Sequence, residues 1–233
     1  MPNHIALISG TTRGIGRAIA EHLLAMGSVV IGCGRTKATL SHPQYIHHEL
    51  DLGDPEAVED FFFEVRGEVT HLDALINNAG IAKMNAFALT PVESVQNIFA
   101  VNVYSTFYLS QKAIGLLRRS PHPRIINMSS VAVPLRLEGE AAYAASKSAV
   151  EMLTRIIAKE LSNFHITCNA IGPSPIATDL IRGVPQDKIN RLIQRQAIAK
   201  MATVADVIHL VDFLLHPASD MITGQIIYLG GIS

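Results

Sequence analysis

The chain has 233 residues, 48% hydrophobic and 17% charged, a composition that excludes a disordered polymer and is long enough for one α/β domain with a sizeable core. Its 19 basic and 20 acidic residues leave a formal net charge of −1, which argues against a nucleic-acid partner, and Arg118-Arg119 reads as a solvated helix end. Cys33 and Cys168 lack CxxC or Cys/His partners at metal spacing, so no metal is expected, and both read as small buried hydrophobes of a reducing compartment.

In chain order, HIALIS (4–9) predicts a strand, GRAIAEHLLAMG (16–27) a helix stopped by glycine, and SVVIGCG (28–34) a second strand. YIHHELD (45–51) is a weaker third strand. The connection between Arg35 and Asp51 is too short, and too broken by Pro43, for a full crossover helix, so a short helix or a loop is expected there. PEAVEDFFFEVRGEV (55–69) opens with proline and acids as a helix start does, and LDALINN (72–78) follows as strand four. A long helix is predicted over 91–118, strand five over 124–130, a helix over 141–162 and strand six over 165–173. Helices near 186–198 and 203–215 and a seventh strand over 224–231 complete the pattern.

The strand runs are continuously apolar, as in strands buried on both faces of a parallel sheet, and their alternation with helices implies right-handed βαβ units. The expected fold is a single doubly wound α/β domain of the Rossmann type over residues 1–233, with seven parallel strands and helices on both faces. The opening MPNHIALISG lacks a basic n-region, and no apolar run reaches membrane-spanning length, so a cytoplasmic protein is expected.

Four motifs carry chemistry. SGTTRGIG (9–16) places Gly10, Gly14 and Gly16 between a buried strand and a helix N-terminus, whose free N–H groups and dipole suit a phosphate. NNAG (77–80) ends strand four at the carboxyl edge where open sheets bind ligands. Asn77 and Asn78 can brace neighbouring loops there, and Ala79-Gly80 lets a flat ligand approach. INMSS (126–130) ends strand five at the same edge. In YAASKSAV (143–150), Tyr143 and Lys147 stand four apart on one helix face. A free tyrosine has a pKa near ~10, and a neighbouring cation lowers it. Ser130, Tyr143 and Lys147 can therefore meet in one cleft. By itself, Y-x3-K also fits an ordinary surface pair.

Together these motifs resemble the short-chain dehydrogenase/reductase family over essentially the whole chain, and most of all its β-ketoacyl carrier-protein reductases and related carbonyl reductases. The resemblance is carried by SGTTRGIG, Asp51-Leu52, NNAG, Asn102 in VNVYSTF, Ser130, Tyr143 with Lys147, GPSPIATD (172–179) and the ending ITGQIIYLGGIS. It implies Tyr143 as general acid, Lys147 lowering the tyrosine pKa and holding the nicotinamide ribose, Ser130 donating to the substrate oxygen, and Asn102 holding a relay water. It also implies cofactor contacts at Gly10, Thr12, Arg13, Gly14, Ile15, Gly16, Gly34, Arg35, Thr36, Asp51, Leu52, Asn78, Ala79, Gly80, Pro173, Ser174, Ile176 and Thr178. Ser9 replaces the family's usual threonine and keeps the hydroxyl. Ser174 replaces a usual glycine beside the nicotinamide.

NAD-specific members carry an acidic residue at the end of strand two. Here Gly34 stands there, followed by Arg35 and Thr36, with Arg13 projecting to the same place, which implies NADP(H). The expected activity is reduction of a carrier-bound 3-oxoacyl group or a small ketone to a secondary alcohol. The alternatives are a cofactor-binding regulator without catalysis, or an alcohol or polyol dehydrogenase working oxidatively. Basic residues of the 176–200 segment (Arg182, Lys188, Arg191, Arg195, Lys200) can attract an acidic carrier, or simply form a solvated face. Phe164 stands where carrier-protein reductases commonly have an arginine, which leaves a small-molecule ketone open. A homodimer or homotetramer is expected through the two long helices, with Val150, Leu153, Ile157 and Leu161 as the apolar set.

Overall fold

The computed structural model describes residues 4–178 and 183–232. Seven strands form one parallel sheet: β1 (Ile5–Ser9), β2 (Val29–Gly34), β3 (Tyr45–Glu49), β4 (Ala74–Asn77), β5 (Arg124–Met128), β6 (Thr167–Gly172) and β7 (Ile226–Tyr228). The spatial order is β3-β2-β1-β4-β5-β6-β7, and every neighbouring pair is parallel. The chain order reverses between β1 and β4, so a crevice opens at their carboxyl ends.

Alternation along the central strands feeds two cores. Leu7, Ile31, Leu75 and Ile125 point to one face, where they meet α2 (Pro55–Glu68), α4 (Ser105–Leu117) and α6 (Ala141–Glu160). Ala6, Ile8, Val30, Ile76 and Ile126 point to the other, against α1 (Gly14–Ala25) and α8 (Val204–Leu215). Both faces are thus covered, which is why β4, β5 and β6 are buried at every position. Phe62 of α2 is fully buried, and its truncation to alanine would cost about 3–5 kcal/mol.

Local chemistry explains the helix ends. Asp54 caps α2 by accepting the Glu56 N–H at 3.0 Å, ahead of Pro55. Thr203 and Asp206 form a capping box on α8. By contrast α1 has no side-chain cap, so its first N–H groups stay open toward the crevice.

The structure differs from the sequence reading in four places. The predicted 91–118 helix is α3 (Val92–Phe99) joined to α4 through a π-helical turn at Ala100–Tyr104. A short helix, α5 (Ala132–Leu135), fills the loop after Ser130. Only Gln186–Gln194 of the 186–198 segment is helical (α7). The apolar set on α6 faces inward: Val150 is 1% exposed, Leu161 is buried, and Leu153 and Ile157 are partly covered. The connection after β2 is a loop, and Asp179 and Arg182 lie outside the described residues. Arg118 lies 4.1 Å above the Phe164 ring, and Arg119 donates to the Thr70 carbonyl. Among the described residues no helix is long and apolar enough to cross a membrane.

Candidate active site

A cleft of about 630 Å³ follows the carboxyl ends of the sheet, and every sequence-predicted site residue except Gly16 and Asn102 borders it. Gly16 works behind the wall. A Cβ there would collide with Asn78 Nδ2 and the Gly10 carbonyl, so glycine lets α1 pack onto the strand end. Asn102 also acts from behind. Its Oδ1 accepts the Ile81 N–H at 2.8 Å, and its Nδ2 donates to the Ile81 carbonyl at 3.0 Å and Ser146 Oγ at 2.9 Å. The side chain is therefore committed to pinning the loop after Gly80.

The glycine turn and the end of β4 are sewn together. Ser9 Oγ accepts the backbone N–H groups of Asn78 and Ala79, each at 3.0 Å, so serine fills the threonine position with the working hydroxyl intact. Asn78 Nδ2 donates to the Ser9 carbonyl at 2.9 Å and the Gly10 carbonyl at 3.2 Å. Asn77 reaches Asn127 at 2.8 Å and Ser110 at 3.0 Å, locking β4 to β5 and α4.

Tyr143 and Lys147 leave α6 on the face toward β5, and both are buried. Ser130 hydrogen bonds the Tyr143 phenol, while its own Oγ accepts the Ala132 N–H at 3.1 Å. Lys147 Nζ donates to the Met128 carbonyl at 2.8 Å and stands 5.9 Å from the Tyr143 ring centre. Burial pushes the Tyr143 pKa up to about 12, against the pull of the Ser130 hydrogen bond, and the Glu140 carboxylate pushes it the same way. Burial lowers Lys147 to about 8. The two shifts share one cause, since taking a charge out of water disfavours it on either side chain.

The residues present fit a dinucleotide. The uncapped start of α1 faces a cradle at Gly14, where a Cβ would meet nothing nearer than Thr178 Cγ2 at 4.0 Å. The Ser174 hydroxyl, 4% exposed, borders the cleft with no hydrogen-bond partner among the described residues. A buried hydroxyl left unpaired is costly, so it marks a place for a polar ligand atom. Gly34 and Arg35 border the opposite end of the cleft.

Sequence reasoning missed three residues. Glu140 borders the cleft one turn before Tyr143, and its carboxylate neither caps α6 nor forms a hydrogen bond among the described residues. The i, i+3 spacing to Tyr143 was the available signal. Thr39 borders the cleft from a loop without periodicity. Behind Ser130, the buried Glu151 accepts hydrogen bonds from Ser129 Oγ and from the Tyr228 hydroxyl, the latter at 2.6 Å, tying α6 to β5 and β7. Among the described residues, no group of three or more His, Cys, Asp or Glu side chains could hold a metal.

A parallel seven-stranded α/β sheet with a glycine turn, an edge cleft and a buried Ser/Tyr/Lys set defines a class. Residues 10–232 match the family model described as enoyl-(acyl carrier protein) reductase, and the chain belongs to the short-chain dehydrogenase/reductase family, oxidoreductases that use nicotinamide cofactors. It is 30% identical to the 3-oxoacyl-[acyl-carrier-protein] reductase FabG of Escherichia coli (strain K12), over 97% of this chain and 96% of that protein. It is also 30% identical to the NADPH-dependent aldehyde reductase-like protein, chloroplastic, of Arabidopsis thaliana, over 99% and 94% of the two chains. Among solved structures, 4-hydroxyisoleucine dehydrogenase complexed with NADH superposes with a TM-score of 0.91 at 27% identity, over 98% of each chain.

Proposed function

We propose that the protein is an NADP(H)-dependent carbonyl reductase converting a ketone to a secondary alcohol. The observation that carries this reading is the Tyr143 phenol, buried at the cleft wall, bonded to Ser130, with Lys147 on the same helix face. A bound nicotinamide supplies the hydride. With its pKa raised, Tyr143 stays protonated at neutral pH and can give its proton to the carbonyl oxygen. Ser130 donates toward the same oxygen, where negative charge develops. Lys147 has spent one N–H on Met128 and keeps the others for ribose hydroxyls and for returning a proton to Tyr143. Asn102 holds the Ile81 loop beside them.

NADP(H) is favoured by the end of β2. A Cβ on Gly34 would meet nothing nearer than Thr12 Cγ2 at 3.7 Å, so there is room for a phosphate, and Arg35 and Arg13 border the same stretch of cleft. A guanidinium binds a phosphate through paired hydrogen bonds. The relatives include an NADPH-dependent reductase and a dehydrogenase complexed with NADH, so the reading of the cofactor rests on this turn.

We favour a small ketone over an acidic carrier. Arg191 is paired with Asp187 at 2.8 Å, and Arg195 donates to the Leu135 carbonyl at 3.0 Å, so part of the basic rim is already engaged. The Glu140 carboxylate borders the cleft and would repel an anion.

The test is kcat/KM for NADPH against NADH, in wild type and in Arg35→Ala. Wild type should prefer NADPH, and the variant should lose most of that preference. Equal use of both cofactors by wild type, or an unchanged ratio in the variant, contradicts the reading.

A further inference from the structure

Residues 35–41 leave β2 without entering a helix, and among the described residues they make no backbone-to-backbone hydrogen bond. This loop nevertheless carries Arg35 and Thr36 to the cleft. Its position comes instead from side chains. Thr11 Oγ1, in the glycine turn, lies 2.8 Å from the Tyr45 hydroxyl, which lies 2.8 Å from His47 Nδ1. His47 Nε2 in turn lies 2.9 Å from the Thr36 carbonyl. A carbonyl can only accept, so Nε2 carries a proton. In the neutral ring Nδ1 then accepts from Tyr45, and Tyr45 accepts from Thr11. The polarity of the chain is fixed from one end to the other.

Tyr45 and His47 both come from β3, yet the Tyr45 hydroxyl reaches Thr11 beyond β1. It does so over Gly32 of β2, where any Cβ would collide with both hydroxyls. A second tether runs outside the first: Arg17 donates to Thr39 Oγ1 at 3.1 Å, and Thr39 donates to the Thr12 carbonyl at 3.1 Å. Both tethers join the glycine turn to the 35–39 loop.

We propose that Tyr45 and His47 are positioning residues for the adenosine end of the cofactor, their relay from Thr11 to Thr36 holding the 35–37 turn where it meets the ribose 2′ substituent. The proposal rests on the reading that this turn discriminates NADP(H) from NAD(H), and it assigns that discrimination to residues that do not border the cleft. A turn with no backbone hydrogen bonds of its own loses selectivity once its tether is cut, because each ligand must then order it.

The test uses calorimetric binding of two probes, 2′,5′-ADP and 5′-AMP, to the full chain without cofactor. In His47→Leu and Tyr45→Phe the ratio of the two affinities should shift toward unity by roughly five- to tenfold, as loss of one net hydrogen bond would give. In His47→Gln, which keeps an N–H donor at the Nε2 position, the ratio should stay within about twofold of wild type. Far-UV circular dichroism confirms folding of each variant, and Tyr45→Phe keeps the ring that packs on β2. A wild-type ratio retained in both His47→Leu and Tyr45→Phe overturns the relay, as does a ratio in His47→Gln that falls as far as in His47→Leu. A wild type that prefers 5′-AMP contradicts the NADP(H) reading alone, and the relay is then judged by the same change of ratio between the two His47 variants.

Discussion

Lys147 stands one helical turn from Tyr143, its ammonium 5.9 Å from the ring centre and held by the Met128 carbonyl at 2.8 Å. Each group is governed by burial more than by the other. The phenol is pushed up to about 12 and the ammonium down to about 8. Both shifts favour the neutral forms, yet at neutral pH the phenol keeps its proton and the ammonium, with a pKa of about 8, is still mostly charged.

That arrangement links stability to pH. Lys147 has a folded pKa of about 8 against an ordinary 10.5, so between these values the unfolded chain binds more protons and stability rises with pH. The contribution is complete above 10.5 and is lost as the pH falls to about 8. Unfolding of the cofactor-free protein in urea should therefore show wild type gaining on Lys147→Met between pH 8 and 10. A difference between the two that stays flat over that range would contradict the assignment.

Glu140 adds to the effect of burial on Tyr143, because its carboxylate also raises the phenol's pKa. Glu140→Gln should move the alkaline limb of the kcat/KM profile to lower pH. Solvent at the cleft mouth screens the pair, so the shift should be smaller than that caused by burial. An unchanged limb, or one displaced upward, would show that Glu140 does not act on the phenol.

Ser174 separates ligand binding from stability. Its buried hydroxyl has no partner among the described residues, so Ser174→Ala should leave the cofactor-free protein unharmed or more stable by up to about 1 kcal/mol. Dinucleotide affinity should fall in the same variant. Thermal unfolding with and without dinucleotide reads both, and a destabilised cofactor-free variant would mean that the hydroxyl is already satisfied.

Much of this was legible in the sequence because burial on both faces leaves a continuous apolar signature. The central strands and the edge they share followed from it, and the glycine turn, NNAG, Ser130 and Tyr143/Lys147 fell into place along that edge. Long-range side-chain geometry was not legible. Nothing in the spacing shows that Asn102 spends its amide on Ile81 and Ser146, or that Glu151 gathers Ser129 and Tyr228. The π turn at Ala100–Tyr104 has no breaker residue to announce it. The apolar set on α6 misled because an amphipathic pattern shows that a face is covered without saying by what. In the fold Ile157 and Leu161 pack against the chain's own core and Val150 is buried, while Leu153 stays partly exposed.

The expectation of an oligomer therefore shifts to other residues. Tyr104 at the end of the π turn, Phe107 of α4, and Met152 and Ile156 of α6 are each 44–54% exposed. Such surface is costly to leave in water. Phe107→Glu combined with Ile156→Glu should convert a dimer or tetramer to smaller species at micromolar concentration, as read by sedimentation velocity. A doubly charged variant that sediments as wild type does would place the interface elsewhere.

The central claim is that this cleft transfers hydride to a carbonyl with Tyr143 as the acid. The direct measurement is single-turnover oxidation of NADPH on a panel of ketones, with the alcohol product identified, in wild type and Tyr143→Phe. Wild type should reduce at least one ketone to its alcohol with one NADPH consumed per product, and Tyr143→Phe should be slower by about 10²- to 10⁴-fold with cofactor affinity nearly unchanged. Cofactor binding without turnover of any ketone or alcohol, or a Tyr143→Phe variant that keeps more than about half of the wild-type rate against that range, would contradict it.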